Sequence, residues 1–112
     1  IMDKLESLNI LFDVKDVFGK DIRSTVGYWK RIKEEKHTDL KYEVPDVVKT
    51  LENPDEVRRS VTDSTIMLYY KQFKSSNTLL VAAKHLNGHG FVVTVYQTTK
   101  SKKKGEKLWP KI

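Results

Sequence analysis

The chain has 112 residues, no cysteine and a formal net charge of +6, with 38% hydrophobic and 10% aromatic residues. That length sets a single domain, 1–112, around one modest core, and the apolar content separates it from disordered chains of similar charge. The lack of cysteine excludes disulfides, thiolate chemistry and cysteine-based zinc sites.

Asn9 to Lys15 alternates as a strand should, with Ile10, Phe12 and Val14 on one face. Phe18-Gly19-Lys20-Asp21 signals a turn, and Asp21 to Ser24 can pair back as a second short strand. Thr25 is suited to cap a helix running from Val26 to about Lys36, on which Val26, Trp29 and Ile32 share one side. Pro45 fits the first turn of a second helix ending at Leu51 or Glu52. Asn53-Pro54-Asp55 stops it, because the residue before proline disfavours helix. Four strand-like runs follow: Glu56 to Val61, Ser64 to Phe73, Thr78 to Leu86 and Gly90 to Thr98. Their short links imply antiparallel hairpins. The expected fold is α+β: two N-terminal helices packed on a four-stranded antiparallel sheet, with an added N-terminal β-hairpin.

The positive charge is concentrated at the end. Residues 98–112 contain six lysines and one glutamate, a net +5, and form a basic C-terminal segment. Such a patch favours a polyanion partner. DNA is the weaker choice, because the one long amphipathic helix lacks a helix-turn-helix partner. No apolar run approaches the roughly 18 residues of a membrane span, and residues 1–13 lack the basic start and apolar core of a signal peptide. A cytoplasmic protein with no membrane partner is expected.

Parity along the strands gathers polar groups. Thr94, Tyr96 and Thr98 share one row, with Val93 and Val95 on the other, toward the helices. Lys84 shares a row with Leu80 and Ala82, and His85 shares one with Val81 and Ala83. In Ser64 to Phe73 both rows are largely apolar, so Tyr69 and Tyr70 cannot be assigned to faces by pattern. Cleaving RNA without a metal requires a base for the 2′-hydroxyl, an acid for the leaving oxygen and cations for the developing phosphorane charge. Arg, Lys, Tyr, Thr and His can fill those roles. Among the histidines, His37 closes the first helix, where the imidazolium form is favoured. His89 lies in a glycine-rich turn. No HExxH, glycine-rich phosphate loop, calcium-loop pattern or GxSxG occurs, so neither a metal, a cofactor nor a serine triad is expected.

The segments GKDIRSTVGYWKRIKEEKH (19–37), VKTLENPDEVRRS (48–60), LYYK (68–71), Lys84, GFVVTVYQT (90–98) and KKGEKLW (103–109) together resemble a phage- and mobile-element-associated nuclease family. It belongs to the broad Barnase–EndoU–colicin–RelE-like group of metal-independent ribonucleases. The resemblance covers about four fifths of the chain and lies in the order and spacing of the pieces. It departs from the family where Thr38, rather than proline, follows His37, and where Arg31 stands near the place of an earlier helix histidine.

The resemblance implies a toxin-type endoribonuclease that cleaves RNA through a 2′,3′-cyclic phosphate. His37, Arg59, Lys84, Thr94 and Tyr96 would be catalytic. Arg59 would take transition-state charge, Lys84 would position phosphate or act as base, and His37 or Tyr96 would be the acid. Arg58, Ser60, Tyr70, Thr98, Lys100, Lys102, Lys103, Lys104 and Lys107 would hold the RNA, the lysines by salt-dependent attraction. The expected partners are RNA and an acidic antitoxin or immunity protein. The alternative is a catalytically inactive domain of the same fold that binds RNA or an antitoxin-type protein.

Overall fold

The computed structural model describes residues 9–36, 41–73, 77–98 and 104–110. Strands β1 (Ile10–Lys15) and β2 (Asp21–Thr25) lead into helix α1 (Val26–Arg31), which continues as a π-helical turn, Ile32–Lys36. Helix α2 (Val44–Glu52) precedes β3 (Glu56–Arg59), β4 (Ile66–Gln72), β5 (Thr78–His85), β6 (His89–Thr98) and β7 (Lys107–Trp109). Among the described residues, no helix is long and apolar enough to cross a membrane.

The expectation of two helices on a four-stranded antiparallel sheet is overturned. All seven strands form one mixed sheet, ordered β1-β2-β6-β5-β4-β3-β7. The N-terminal hairpin joins it through a parallel pairing of β2 with β6, in which Ile22 faces Gly90. Gly90 permits that approach: a Cβ there would meet the Lys84 carbonyl oxygen at 2.8 Å and Ile22 Cδ1 at 2.9 Å. At the far edge, β7 adds to β3 from within the basic C-terminal segment. Its Leu108 is buried in the main core.

Local chemistry explains the ends of the elements. Thr25 Oγ1 accepts from the Tyr28 N–H at 3.1 Å and caps α1. The Asp46 side chain accepts from the Glu43 N–H at 2.9 Å at the start of α2. Between β1 and β2, Asp16 Oδ1 accepts from the Phe18 and Lys20 N–H groups at 2.9 and 2.8 Å, and Gly19 takes φ +82° to close the turn. In β1 the register shifts between Ile10 and Phe12. The extra residue breaks the expected row of Ile10, Phe12 and Val14 and leaves Ile10 exposed while Phe12 is buried.

Both helices cover one face of the sheet. Ile32 from the π turn, with Val47 and Leu51 from α2, packs with Val57, Tyr69, Leu79, Val81, Ala83, Val92 and Val95. The other face carries a smaller apolar cluster: Tyr70, Leu80 and Ala82, flanked by Ile66, Leu68 and Val93. The placement of Val93 corrects a second expectation, since the parity reading put it with Val95 toward the helices. The β5–β6 register shifts so that Ala82 pairs with Thr94 but Ala83 pairs with Val92. Val93 is the extra residue of a bulge, and its carbonyl accepts from Tyr28 Oη of α1 at 2.9 Å.

Candidate functional site

The register of the four central strands aligns polar side chains across the face turned away from the helices. One transverse row runs Glu56, Tyr70, Leu80, Tyr96. The next runs Arg58, Leu68, Ala82, Thr94, and a third runs Ile66, Lys84, Phe91. On the other side of the first row, Gln72, Thr78 and Thr98 form the outermost line. Successive rows are roughly 6.7 Å apart along the strands.

Arg58 is fixed at two points on this outer face. Its Nε pairs with Glu56 Oε2, and its NH1 donates to the Gly105 carbonyl at 2.9 Å. Gly105 comes from the KKGEKLW segment that leads into β7, so the C-terminal strand clamps Arg58 in place. Gly105 holds φ +91°, and a Cβ there would lie 2.0 Å from the Arg59 carbonyl oxygen. Beside this pair, burial pushes the Tyr70 hydroxyl above its usual range. The neighbouring Tyr96 and Glu56 reinforce that direction and Arg58 opposes it. Tyr70 is therefore neutral at physiological pH and electrostatically linked to Tyr96, Arg58 and Glu56. Chemically the cluster holds a carboxylate, a guanidinium and two phenols, with the Thr94 hydroxyl in the adjacent row.

The expected site residues separate by their place in the fold. Arg58, Tyr70, Thr94, Tyr96 and Thr98 share the outer face. Lys84 also lies on it, two rows or roughly 13 Å from Tyr96 along the strands, with its ammonium 3.7 Å from Asp63 Oδ2. Arg59 is on the opposite face. Val57 is fully buried among the helices' contacts, so alternation sends Arg58 outward and Arg59 to the helix side. There its Nε lies 3.3 Å from Glu106 Oε1 and its NH1 donates to the Ser64 carbonyl at 3.0 Å. Ser60 bonds Thr62 through their hydroxyls at 3.1 Å and shapes the β3–β4 loop. Lys104 and Lys107 are exposed, and Lys107 is the cross-strand neighbour of Arg58. His37, Lys100, Lys102 and Lys103 lie outside the described residues.

Sequence reasoning overlooked Glu56. The signal was present in the alternation Glu56-Val57-Arg58, in which one buried valine sets two opposite charges on the same side. Asp16 was overlooked as well. Its Oδ2 accepts from Tyr69 Oη at 2.5 Å, and Tyr69 Oη lies 2.8 Å from His85 Nε2. This buried chain is on the helix side, away from the Glu56–Arg58 cluster. Among the described residues, no group of three or more His, Cys, Asp or Glu is placed to hold a metal ion. No protein-family model, curated protein or solved structure matches the chain, so a functional reading rests on the chemistry of these side chains.

Proposed function

We propose that the outer face binds RNA and cleaves its phosphodiester bonds without a metal, as a small toxin-type endoribonuclease. The observation that carries this reading is the cluster of Glu56, Arg58 and Tyr70 on the paired β3 and β4, with Tyr96 in the same row on β6. Glu56 takes the proton of the ribose 2′-hydroxyl. The 2′-oxygen attacks phosphorus, and the bond from phosphorus to the 5′-oxygen breaks. Tyr70 or Tyr96 donates a proton to that leaving oxygen, giving a 2′,3′-cyclic phosphate and a 5′-hydroxyl. Arg58 offsets the charge that grows on the phosphorane oxygens, which is where a fixed cation has the greatest effect. Thr94 and Thr98 donate to phosphate oxygens, while Lys84, Lys104 and Lys107 attract the strand.

The cation assigned to transition-state charge is thus Arg58 rather than Arg59. The test is digestion of a synthetic RNA in EDTA with end-group analysis. Expected are cyclic phosphate ends from the parent protein and a loss of roughly 100- to 1,000-fold in Arg58→Gln. Retention of RNA with no cut by the parent protein would replace the nuclease by an RNA-binding domain. Capture of an acidic protein that competes with RNA would identify an inhibitor seated on the same face.

A further inference from the structure

A second polar site lies behind the first, on the helix side at one end of the sheet. A cavity of about 650 Å³ is bordered there by Lys20, Arg59, Met67, His85, Asn87 and His89, among others. Its size is within the roughly 300–1,000 Å³ typical of small-ligand sites. The groups converge from four separate elements. Lys20 comes from the β1–β2 turn, Arg59 from the end of β3, His85 from the end of β5 and His89 from the start of β6. No Asp or Glu is among the described lining residues.

The nearby carboxylates are already engaged. Asp16 lies beneath Tyr69 and accepts three hydrogen bonds, from the Phe18 and Lys20 N–H groups and from Tyr69 Oη. Glu106 meets Arg59 from the solvent side, with its side chain 69% exposed. Asp63 faces Lys84. Because Tyr69 donates to Asp16, its oxygen accepts from His85 Nε2–H, which leaves His85 Nδ1 as the acceptor nitrogen. That nitrogen is buried and, among the described residues, has no hydrogen-bond partner. His85 is thereby fixed as a neutral imidazole at the border of a cavity whose charged lining groups are cationic. Burial chiefly holds its pKa below the ordinary range, and Lys20 and Arg59 add to that effect while Asp16 opposes it.

We infer that this cavity binds a phosphomonoester of mononucleotide size, with the phosphate between Lys20, Arg59 and His89 and the remainder against Met67 and Asn87. Arginine and lysine from different elements supply planar and point-charge recognition of the same dianion. The site is separate from the Glu56–Arg58 cluster, because alternation along β3 puts Arg58 and Arg59 on opposite faces.

Calorimetric titration of the whole protein tests this with adenosine 5′-monophosphate, adenosine and inorganic phosphate as probes. The nucleotide should saturate, adenosine should not, and inorganic phosphate should compete with the nucleotide. Lys20→Gln should weaken the nucleotide about tenfold and Arg59→Gln more, whereas Arg58→Gln should bind as the parent does. A large advantage for the nucleotide would support the mononucleotide, whereas competition at equal concentrations would overturn it in favour of free phosphate. The inference is overturned if no probe saturates, if adenosine binds as well as its phosphate, or if Lys20→Gln and Arg59→Gln both bind like the parent. It stands or falls independently of RNA cleavage, since a protein inactive on RNA could still bind the nucleotide here.

Discussion

The two faces of this sheet are built from neighbouring residues. Arg58, Tyr70 and Lys84 lie on the outer face, while Arg59, Tyr69 and His85 lie on the helix side. Each pair is adjacent in the chain, yet alternation puts its members on opposite sides of the strand layer. In the outer group Arg58 and Tyr70 lie within paired strands, Arg58 also donating to the Gly105 carbonyl, while Lys84 near the end of β5 faces Asp63 of the β3–β4 loop. In the inner group Arg59 and His85 lie at strand ends and Tyr69 in mid-strand, with the loop residues Asp16 and Ser64 bonded to Tyr69 and Arg59. A strand-centred site is held by register, whereas an end-of-strand site is held by whichever turns arrive there. Substitutions should therefore act differently on the two faces.

The largest effect is expected from exchanging the twin arginines. Arg58→Gln should lower RNA cleavage by roughly 100- to 1,000-fold, the usual cost of removing a fixed charge from a transition state. Arg59→Gln should change cleavage by no more than about threefold, because it faces the other way. Equal losses in the two variants, measured as initial rates on one synthetic RNA, would erase the distinction between the faces. Glu56→Gln should match Arg58→Gln in rate while leaving the pocket titration unchanged.

Gly105 links both faces at the sheet edge. Its carbonyl holds Arg58, and its Cα packs against the backbone of Arg59. Gly105→Ala places a Cβ 2.0 Å from the Arg59 carbonyl oxygen and strains a backbone that holds φ +91°. A loss of about 3 kcal/mol in denaturant unfolding is expected, together with loss of both cleavage and nucleotide binding. A variant that keeps parental stability would show that β7 is not clamped to β3 in this way.

The inner tyrosine comes next. Tyr69→Phe leaves Asp16 short of a donor and His85 short of an acceptor, at a cost of about 2 kcal/mol. It should also weaken the alkaline arm of the pH–stability curve. Burial and the Asp16 carboxylate raise the Tyr69 hydroxyl far above its ordinary value of 10.0. In the unfolded chain that proton is lost near pH 10, while the folded protein keeps it, so stability falls as pH rises past that point. His85 acts at the opposite end. Its folded pKa is lowered below 6.5, so the unfolded chain takes up the proton first. Its contribution is complete above that pH and is lost as pH falls toward the folded value. Unfolding curves collected across pH should show both arms in the parent protein and a weaker alkaline arm in Tyr69→Phe, where the raised Tyr70 hydroxyl remains. Tyr70→Phe should leave the acid arm intact, since Tyr70 does not touch His85's hydrogen-bond chain.

These contrasts also mark what the sequence could reveal. Strand alternation was enough to join Lys84 with Leu80 and Ala82, and His85 with Val81 and Ala83. It could not phase β3, because four residues containing two adjacent arginines fit either orientation until Val57 is known to be buried. It could not phase β4 either, since each face has its own apolar cluster and both rows read as core. The parallel pairing of Ile22 with Gly90 joins residues far apart in the chain, and no local signal announces it. Strand β7 is three residues long and embedded among lysines, so charge concealed its pairing. Glu56 carried no signal of its own until the burial of Val57 set it on the same side as Arg58.

The smallest effect concerns the bulge that keeps the two rows of β6 distinct. Val93 is the inserted residue, and Tyr28 of α1 donates to its carbonyl. Beyond the bulge Thr94 and Tyr96 face outward, and before it Val92 faces the helices. Without the extra residue, every side chain on one side of that point would change face. Tyr28→Phe removes one donor from this carbonyl and keeps the ring, so a loss of about 1 kcal/mol in unfolding is expected. If the hydrogen bond also helps hold the bulge in place, RNA cleavage should fall by more than this stability change accounts for. The pocket, whose lining reaches β6 only at His89, should keep its nucleotide affinity. Parallel loss of both activities would mean that the register of β6 is fixed by its strand partners alone, with Tyr28 contributing only to general stability.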